Sequence, residues 1–222
     1  MIIPVKNEPA LGGFLPAVHE VLASIPDQYE VLVVQGDKET KFYPYPEFPQ
    51  QQTIWTYGDS LERSILNGFS HAKGDKIIVM DADFSHPPTD IVRIWKGLDA
   101  HEMVVGTRFA EGSEFTSSPF RRLVSWGCIL LAKSAGTKLS DPMSGFFGVR
   151  RELLKKVKFR PITWKTCLEI ELKAKPKLAE IPITFVERTE GESKTTLKVG
   201  LKIIKELLVL NYEQNFGKIT KS

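Results

Sequence analysis

The chain has 222 residues, of which 42% are hydrophobic and 26% are charged, close to the ordinary usage of globular proteins. This composition excludes a disordered or fibrous chain, and the length predicts one domain with an appendage or two small domains. A net charge of +3 is too small to indicate nucleic-acid binding. The longest apolar run, residues 128–132, is far shorter than the ~20 residues of a membrane-spanning helix, and the first residues lack a signal-peptide pattern. These features predict a soluble, cytosol-facing protein.

The first half of the chain alternates short apolar runs with helical patterns. Continuous apolar runs predict strands at 2–5, 31–34, 76–80 and 103–106. Apolar residues at 3/4 spacing predict helices at 15–25, 60–72 and 90–98. Ser60 has the chemistry of an N-cap, with Arg63 at N3. Residues 37–53, rich in proline and aromatic residues, are predicted to form a loop.

The second half is less regular. Its patterns predict a helix at 121–135, a strand at 145–149, a helix around 169–171, an extended run at 182–186 and a final helix from 195 to about 212. Apolar strands alternating with helices indicate an α/β fold with a mostly parallel central sheet. We therefore interpret the chain as one domain, with a nucleotide-binding α/β half at 1–107, a second half at 108–194 and an amphipathic C-terminal helix and tail at 195–222.

Cysteines and histidines form no metal-binding or disulfide pattern. Cys128 and Cys167 are far apart and belong to no CxxC pair, and the four histidines are scattered. We expect both cysteines to be buried, reduced thiols.

Two acidic residues mark the end of the strand predicted at 76–80. Asp81 and Asp83 are two apart, so in an extended chain their carboxylates project to the same side. Such a pair is costly unless a cation lies between the carboxylates, and hard oxygen ligands suit Mg²⁺ or Mn²⁺, which in turn hold a diphosphate. The alternative is a loop with two solvated acids.

The surrounding string DADFSHPP resembles the DxD motif of inverting family 2 glycosyltransferases, and in particular that of polyprenyl-phosphate mannose synthases. Five other segments resemble motifs of that family in the same order. They are IPVKNE at 3–8, NGF to AKGD at 67–75, VVGTRF at 104–109, DPMSGFF at 141–147, and EIPI at 180–183 with Phe185, Arg188, Gly191, Ser193 and Lys194.

The resemblance implies a nucleotide-diphospho-sugar transferase fold of the GT-A type, with a nucleotide-sugar-binding half at 1–107 and an acceptor half at 108–194. It also implies transfer of mannose from GDP-mannose to dolichyl or polyprenyl phosphate. It implies metal ligation by Asp81, Asp83 and Ser85. It implies a donor-nucleotide site made of Pro4, Val5, Asn7, Glu8, Asp37, Asp81 and Ala82. It implies that the catalytic residues are Asp83, Arg108, Arg121, Ser125, Arg188 and Lys194.

The chemistry of such a reaction agrees with these residue types. A lipid monophosphate is already an anion at neutral pH, so it needs no general base to become a nucleophile. It does need cationic side chains that offset repulsion from the donor diphosphate. Arginine and lysine without a catalytic histidine are what this reaction predicts.

One segment departs from the family pattern. The family has an acidic DDGSxDGT after the second strand, whereas residues 35–40 read QGDKET, so only Asp37 remains as a base or ribose contact. UDP-glucose is therefore the alternative donor, although DPMSGF favours mannose. More distant alternatives are a phosphohydrolase with Asp81 as nucleophile, which lacks the later GDxxxD motif, and a non-catalytic binding subunit.

The C-terminal helix carries a cationic stripe next to an apolar one. The stripes are Lys194, Lys198, Lys202 and Lys205, and Leu197, Leu201, Ile204 and Leu208. This pattern is typical of a helix that lies on anionic headgroups, and the helix with Leu123, Trp126, Ile129, Leu130 and Lys133 is a second candidate. The alternative is that both helices pack on the core. We expect peripheral binding at the cytoplasmic face of a membrane, directly or through an anchoring subunit.

Overall fold

The computed structural model describes residues 1–6, 8–36, 49–56, 60–111, 114–115, 119–159, 165–185, 205, 207–209 and 211–212. For residues 114–115 and 119–125 it describes the backbone alone. Its strands, in chain order, are β1 (Ile2–Val5), β2 (Val31–Gln35), β3 (Gln51–Trp55), β4 (Lys76–Val79), β5 (Met103–Thr107), β6 (Glu114–Phe115), β7 (Phe147–Arg150), β8 (Leu178–Pro182) and β9 (Thr184–Phe185).

Helices fill most of the intervals between these strands. They are α1 (Leu11–Ala23), α2 (Leu61–His71), α3 (Asp90–Gly97), α4 (Pro119–Ser134), α5 (Arg151–Leu154) and α6 (Thr166–Ala174). Residues 205, 207–209 and 211–212 are also helical.

The central sheet has the strand order β3-β2-β1-β4-β7-β5-β8, and β6 pairs with β9 in a small second sheet. All neighbouring strands of the central sheet are parallel except β7, which runs antiparallel to both β4 and β5. The carboxyl ends of β1 and β4 therefore lie side by side. Ligands of such sheets bind beyond this edge, so the segments that follow Val5 and Val79 are positioned to form a site.

The apolar runs of the strands are continuous because both faces of the sheet are covered. Ile2 and Ile3 are both fully buried, yet they belong to different core clusters, since neighbouring residues of a strand point to opposite faces. Helices α1 and α3 cover the face of Ile3, and α2 and α6 cover the face of Ile2. The prediction of a mostly parallel, doubly covered sheet is confirmed.

The predicted helices of the first half are found within a few residues of their expected bounds. The Ser60 side chain accepts a hydrogen bond from the Arg63 backbone N–H at 3.2 Å, which confirms the predicted N-cap of α2. The helix predicted at 121–135 is α4, and the strand predicted at 145–149 is β7, displaced by one or two residues.

Among the described strands, β3, β8 and the two-residue β6 were not predicted. The loop expected at 37–53 is wrong for its last residues, because β3 begins at Gln51 and pairs in parallel with β2. Strand β3 lies at an edge of the sheet, is only partly buried and has a polar sequence. It therefore lacks the continuous apolar run that predicts a buried strand. The extended run expected at 182–186 is likewise incomplete, because β8 begins at Leu178 and pairs with β5.

Residues from both predicted halves build the same sheet. Strand β7 lies between β4 and β5, and β8 lies beyond β5, so residues 147–182 complete a sheet begun by residues 2–107. The functional division into a donor half and an acceptor half stays a prediction. Both cysteines are free; Cys167 is buried as expected, whereas Cys128 is only partly buried because it lies on α4, a helix with an exposed face.

Candidate active site

The loop that follows β4 holds two carboxylates at the carboxyl edge of the sheet. Asp83 is 6% exposed, and its Oδ1 accepts hydrogen bonds from the Ser85 backbone N–H at 3.0 Å and from the Ser85 hydroxyl at 2.5 Å. Asp81 is partly exposed. The hydroxyl of Ser85, predicted as a metal ligand, is thus engaged in orienting the Asp83 carboxylate.

Phe84, which follows the two acids in the sequence, has an unusual backbone conformation. Phe84 has a φ of 54°, in the left-handed region that non-glycine residues rarely adopt. Its ring contacts Phe14 of α1 edge-on at a centroid distance of 5.1 Å, although the side chain remains 42% exposed. This contact ties the acidic loop to the start of α1 and fixes its path.

Gly145 allows a second loop to approach the Asp81 carboxylate. A Cβ on Gly145 would lie 2.7 Å from Asp81 Oδ2, a distance that real Cβ contacts essentially never show. Residues 141–146, between α4 and β7, therefore pass directly beside the acidic loop. The glycine of the SGF segment thus lets the backbone of the 141–146 loop come close to the Asp81 carboxylate.

The same 141–146 loop anchors Arg108, which follows β5. Asp141 is fully buried, and its Oδ2 and Oδ1 accept hydrogen bonds from Arg108 Nε at 2.6 Å and from the NH2 nitrogen at 2.8 Å. The Arg108 backbone N–H also donates to Oδ2 at 3.3 Å. Two parallel bonds between a guanidinium and a carboxylate fix both position and orientation. Sequence reasoning missed Asp141 as a site residue, although the DPMSGF motif contains it.

A fourth carboxylate, that of Glu180, holds the backbone that carries Asp141. Glu180 of β8 accepts hydrogen bonds from the Ser140 backbone N–H at 2.8 Å, the Ser140 hydroxyl at 3.0 Å and the Asp141 N–H at 3.4 Å. The Ser140 hydroxyl also lies 2.6 Å from Thr107 Oγ1 at the end of β5. Polar groups from β5, β8 and the loop after α4 thus form one network under Arg108.

Aromatic rings connect the acidic loop to Arg108. The imidazole of His86 lies between Phe146 and Phe185, at centroid distances of 5.5 Å and 5.2 Å. The Arg108 guanidinium lies 5.2 Å from the centroid of the Phe185 ring, within the range of a cation–π interaction. His86 is 4% exposed, which makes it a packing residue of the site in this structure.

A lysine that sequence reasoning did not select also belongs to this region. Lys165 immediately precedes α6, and its ammonium donates a hydrogen bond to the Met143 carbonyl of the 141–146 loop at 3.1 Å. Burial lowers the pKa of Lys165, the neighbouring Arg108 guanidinium lowers it further, and the carboxylates of Asp81 and Asp141 oppose these effects. No sequence motif marked this residue, because only the fold brings 165 beside 81 and 108.

The predicted site residues divide into three groups. Asp81, Ala82, Asp83, Ser85, Glu8 and Arg108 lie at or beside the carboxyl edge of the sheet, while Pro4 and Val5 are buried within β1. The backbone of α4 contains Arg121 and Ser125, whose side chains are not described. Asn7, Asp37, Arg188 and Lys194 lie outside the described residues.

A buried polar atom lies at the end of β2, next to the position of the predicted nucleotide site. Gln35 is 1% exposed, and its Oε1 has no hydrogen-bond partner in the part of the chain that the structure describes. An unsatisfied buried acceptor is costly, and a donor from a bound molecule would relieve that cost. Sequence reasoning treated Gln35 only as a departure from the acidic family motif.

The donor set at the acidic loop is compatible with a divalent cation. Within the described ranges, no group of three or more His, Cys, Asp or Glu side chains converges on a metal position. Mg²⁺ characteristically uses one or two carboxylates and completes its shell with water and substrate phosphates, so Asp81 and Asp83 fit this type of site. A closed, all-protein metal site of four ligands does not fit these residues.

Two neighbouring helical segments carry exposed apolar side chains. Leu207 is 2% exposed and packs with Ala132 of α4, while Asn211 Nδ2 donates to the Ser134 hydroxyl at 2.5 Å. The exposed residues on these segments are Trp126 (61%), Leu130 (51%), Leu208 (55%), Val209 (40%) and Tyr212 (64%). Leu208, predicted to belong to the apolar stripe of an interfacial helix, is thus exposed, while the neighbouring Leu207 makes the contact with α4.

None of the helices that the structure describes is both long enough and apolar enough to span a membrane. The Lys stripe of the C-terminal helix lies outside the described residues except for Lys205, which is exposed.

Comparison with known proteins supports the family resemblance of the sequence motifs. Residues 54–158 match the family described as glycosyl transferase family 2. A dolichol-phosphate mannosyltransferase of Pyrococcus furiosus is 30% identical over an alignment that covers 100% of this chain and 66% of the relative. One of Saccharomyces cerevisiae is 37% identical, covering 71% of this chain and 62% of the relative. The chain thus spans somewhat less than two thirds of the length of these curated relatives.

Similar solved structures agree on the fold. Glucosyl-3-phosphoglycerate synthase from Mycobacterium tuberculosis, crystallised with Mn²⁺, UDP-glucose and phosphoglyceric acid, superposes with a TM-score of 0.68. The match covers 96% of this chain and 78% of that chain at 14% identity. At this identity the likeness supports the predicted nucleotide-sugar transferase fold and nothing finer.

Proposed function

Since this chain belongs to glycosyl transferase family 2, we propose that it transfers mannose from GDP-mannose to the phosphate of dolichol or another polyprenol. The observation that carries the proposal is the juxtaposition of Asp81, Asp83 and Arg108 at one edge of the sheet. Two carboxylates for a metal–diphosphate and an oriented cation are what a phosphate acceptor and a nucleotide-sugar donor require. The names of the similar mannosyltransferases support the choice of sugar and acceptor.

In the proposed reaction an oxygen of the lipid phosphate attacks the anomeric carbon of mannose. A new carbon–oxygen bond forms on one face while the bond to the diphosphate breaks on the other, and the electron pair leaves with GDP. No proton has to be removed, because the phosphate monoester is already ionised. Arg108, held by Asp141, would offset the repulsion between two phosphate groups and keep the attacking oxygen in line.

Asp81 and Asp83 would hold Mg²⁺ or Mn²⁺ together with the donor diphosphate. The bound ion would neutralise charge on the leaving group. Ser85 would keep the Asp83 carboxylate turned toward this position through its hydroxyl and backbone N–H. The presence of Mn²⁺ in the structure of the glucosyl-3-phosphoglycerate synthase, which shares the fold, supports this extension.

The donor nucleoside would bind beyond the ends of β1 and β2. Glu8 follows β1, and Asp37, outside the described residues, follows β2 in the sequence. The buried Gln35 Oε1 supports a ligand at this end of the sheet, because an N–H group of a base would provide the missing donor. Asn7 stays a predicted contact of the same pocket.

The exposed apolar side chains of α4 and of the 205–212 helix would lie on the membrane that contains the acceptor. Trp126 and Tyr212 have the amphipathic rings that favour the headgroup region, and Lys133 and Lys205 lie on the same two helical segments. We infer a peripheral protein at the cytoplasmic face, with any membrane-anchoring subunit as an additional partner. Arg121, Ser125, Arg188 and Lys194 are proposed to lie around the phosphates of the donor and the acceptor.

The test is transfer of labelled sugar to dolichyl phosphate in detergent by the purified protein. We expect a mannosyl lipid from GDP-mannose with Mn²⁺ or Mg²⁺, and none after chelation of the metal. Asp83→Ala should abolish transfer, while Asp75→Ala, which removes an exposed carboxylate before β4, should not. If product forms from UDP-glucose alone, UDP-glucose is the donor in place of GDP-mannose. If the wild-type protein is inactive with both donors, the proposed function is wrong.

A further inference from the structure

Lys165 connects the two sides of the candidate site. Its ammonium is bound to the Met143 carbonyl in the 141–146 loop, whose two ends contact the Arg108 guanidinium through Asp141 and the Asp81 carboxylate through Gly145. The loop is therefore the structural link that places one cation close to both groups. Lys165 as a whole residue is partly buried.

The ammonium also has unused hydrogen-bonding capacity. A lysine carries three N–H donors. Among the described residues its one hydrogen-bond acceptor is the Met143 carbonyl, a neutral group. Of the two carboxylates that act on this ammonium, Asp81 and Asp141, the second already binds Arg108 through both oxygens. Since neither carboxylate forms a hydrogen bond with the ammonium among the described residues, its remaining N–H donors are available to a substrate phosphate.

We propose that Lys165 binds a substrate phosphate in this site, in the region between the Arg108 and Asp81 segments that the 141–146 loop connects. This inference rests on the proposed function and adds a phosphate-binding residue to it. The phosphate could belong to the donor diphosphate, on the Asp81 side, or to the lipid acceptor, on the side of α4, which carries Cys128 near the Lys165 ammonium. Both sources share the same chemistry, a phosphate oxygen that accepts from the ammonium.

The test compares Lys165→Met, which keeps the length of the side chain and removes its charge, with the wild type and with Lys165→Arg. Lys96→Met is the matched control, since Lys96 is an exposed lysine on α3. Steady-state KM values for GDP-mannose and for dolichyl phosphate are measured separately. We expect an increase of about tenfold in one of them, equivalent to about 1.4 kcal/mol, with partial recovery in Lys165→Arg and no change in Lys96→Met.

A second measurement does not depend on turnover. Protection against thermal unfolding is titrated with farnesyl phosphate and with GDP plus Mn²⁺, in the wild type and in each variant. If farnesyl phosphate protects Lys165→Met less than it protects the wild type, Lys165 binds the acceptor phosphate. If GDP with Mn²⁺ protects the variant less, Lys165 binds the donor diphosphate. If the wild type transfers no sugar but Lys165→Met still weakens one ligand, the proposed function fails and the phosphate site stands.

The opposite result is equally clear. A Lys165→Met protein that melts like the wild type and keeps both KM values and both protections overturns the assignment. A fall in kcat with unchanged KM values and unchanged protection also overturns it, because it would mean that Lys165 acts only by holding the Met143 carbonyl. Should Lys165→Met fail to fold, Lys165→Gln, which keeps a hydrogen-bond donor for that carbonyl, is measured in its place.

Discussion

The Asp141 carboxylate is fully buried and binds the Arg108 guanidinium through both of its oxygens, at 2.6 and 2.8 Å. These residues are 33 positions apart and come from different parts of the sheet edge. Glu180 of β8 binds the backbone N–H groups of Ser140 and Asp141, so the orientation of Arg108 is set by this strand and by the 141–146 loop. In the proposed reaction this guanidinium would meet a phosphate already oriented, without having to reorganise when the substrate binds.

Asp141→Asn should impair transfer more than it impairs folding. The amide keeps one hydrogen-bond acceptor but loses the charge and the second bond to Arg108, so we expect a loss of stability of about 2 kcal/mol. Because Arg108 loses its fixed orientation, kcat for sugar transfer should fall by at least tenfold. Urea unfolding and initial rates measure the two effects; Asp75→Asn, at an exposed aspartate, serves as the control. Unchanged kcat would contradict the role given to Asp141.

Gly145→Ala should weaken metal binding. The new Cβ would lie 2.7 Å from Asp81 Oδ2 and would push the carboxylate away from its present position. We expect the affinity for Mn²⁺, measured by titration in the presence of GDP, to fall about 10- to 100-fold. Gly74→Ala is the matched control, because a Cβ there makes only an ordinary contact at 3.5 Å with the Lys76 carbonyl. Equal Mn²⁺ affinities of the two variants would speak against the proposed position of the ion.

Trp126→Ser combined with Leu130→Ser should reduce membrane binding. These side chains are 61% and 51% exposed on α4, and burying an apolar side chain of this size in the interface contributes about 1.5–3 kcal/mol. Sedimentation with vesicles of phosphatidylcholine and phosphatidylglycerol should show at least a tenfold weaker partition. Leu61→Ser, at another exposed leucine, controls for general loss of apolar surface. Retention of full vesicle binding would remove α4 from the proposed membrane surface.

The stability of the fold should depend on His19 below pH 6.5. His19 is 2% exposed, with its Nδ1 3.4 Å from the Tyr29 hydroxyl and its Nε2 3.3 Å from Gln51 Oε1. Burial lowers the pKa of His19, and the hydrogen bond to Gln51 opposes this effect in part. The unfolded chain therefore takes up a proton near pH 6.5 that the folded protein does not bind until its lower pKa is reached. Between these values stability rises with pH and is lost on acidification.

His19→Gln removes this titration. We expect the free energy of unfolding of the wild type to fall more steeply than that of His19→Gln as the pH is lowered from 7.5 to 5. Denaturant unfolding at a series of pH values measures the difference. His71→Gln, at an exposed histidine, should keep the wild-type slope. Parallel slopes for wild type and His19→Gln would show that burial of this imidazole has no such effect.

Local patterns were sufficient for most of the fold. The strands β1, β2, β4 and β5 were predictable because burial on both faces demands continuous apolar runs, and α2 was predictable because Ser60 caps it. The edge strand β3 was missed since a half-buried, polar strand has no such run. The antiparallel position of β7 between β4 and β5 was also beyond reach, because strand order depends on contacts between distant segments.

For the site, the sequence alone determined which chemistry is present: the paired acids Asp81 and Asp83 after an apolar strand, and the motifs that carry Arg108. Spacing of two along a chain is a local property, and the residues can be read without the fold. The tertiary structure decided that Asp141 orients Arg108, that Ser85 turns Asp83, that Gly145 admits the loop to Asp81, and that Lys165 joins them. These relations join residues up to 84 positions apart, as Lys165 and Asp81 are. They exist only because the sheet brings the ends of β4 and β5 and the loop before β7 to one edge.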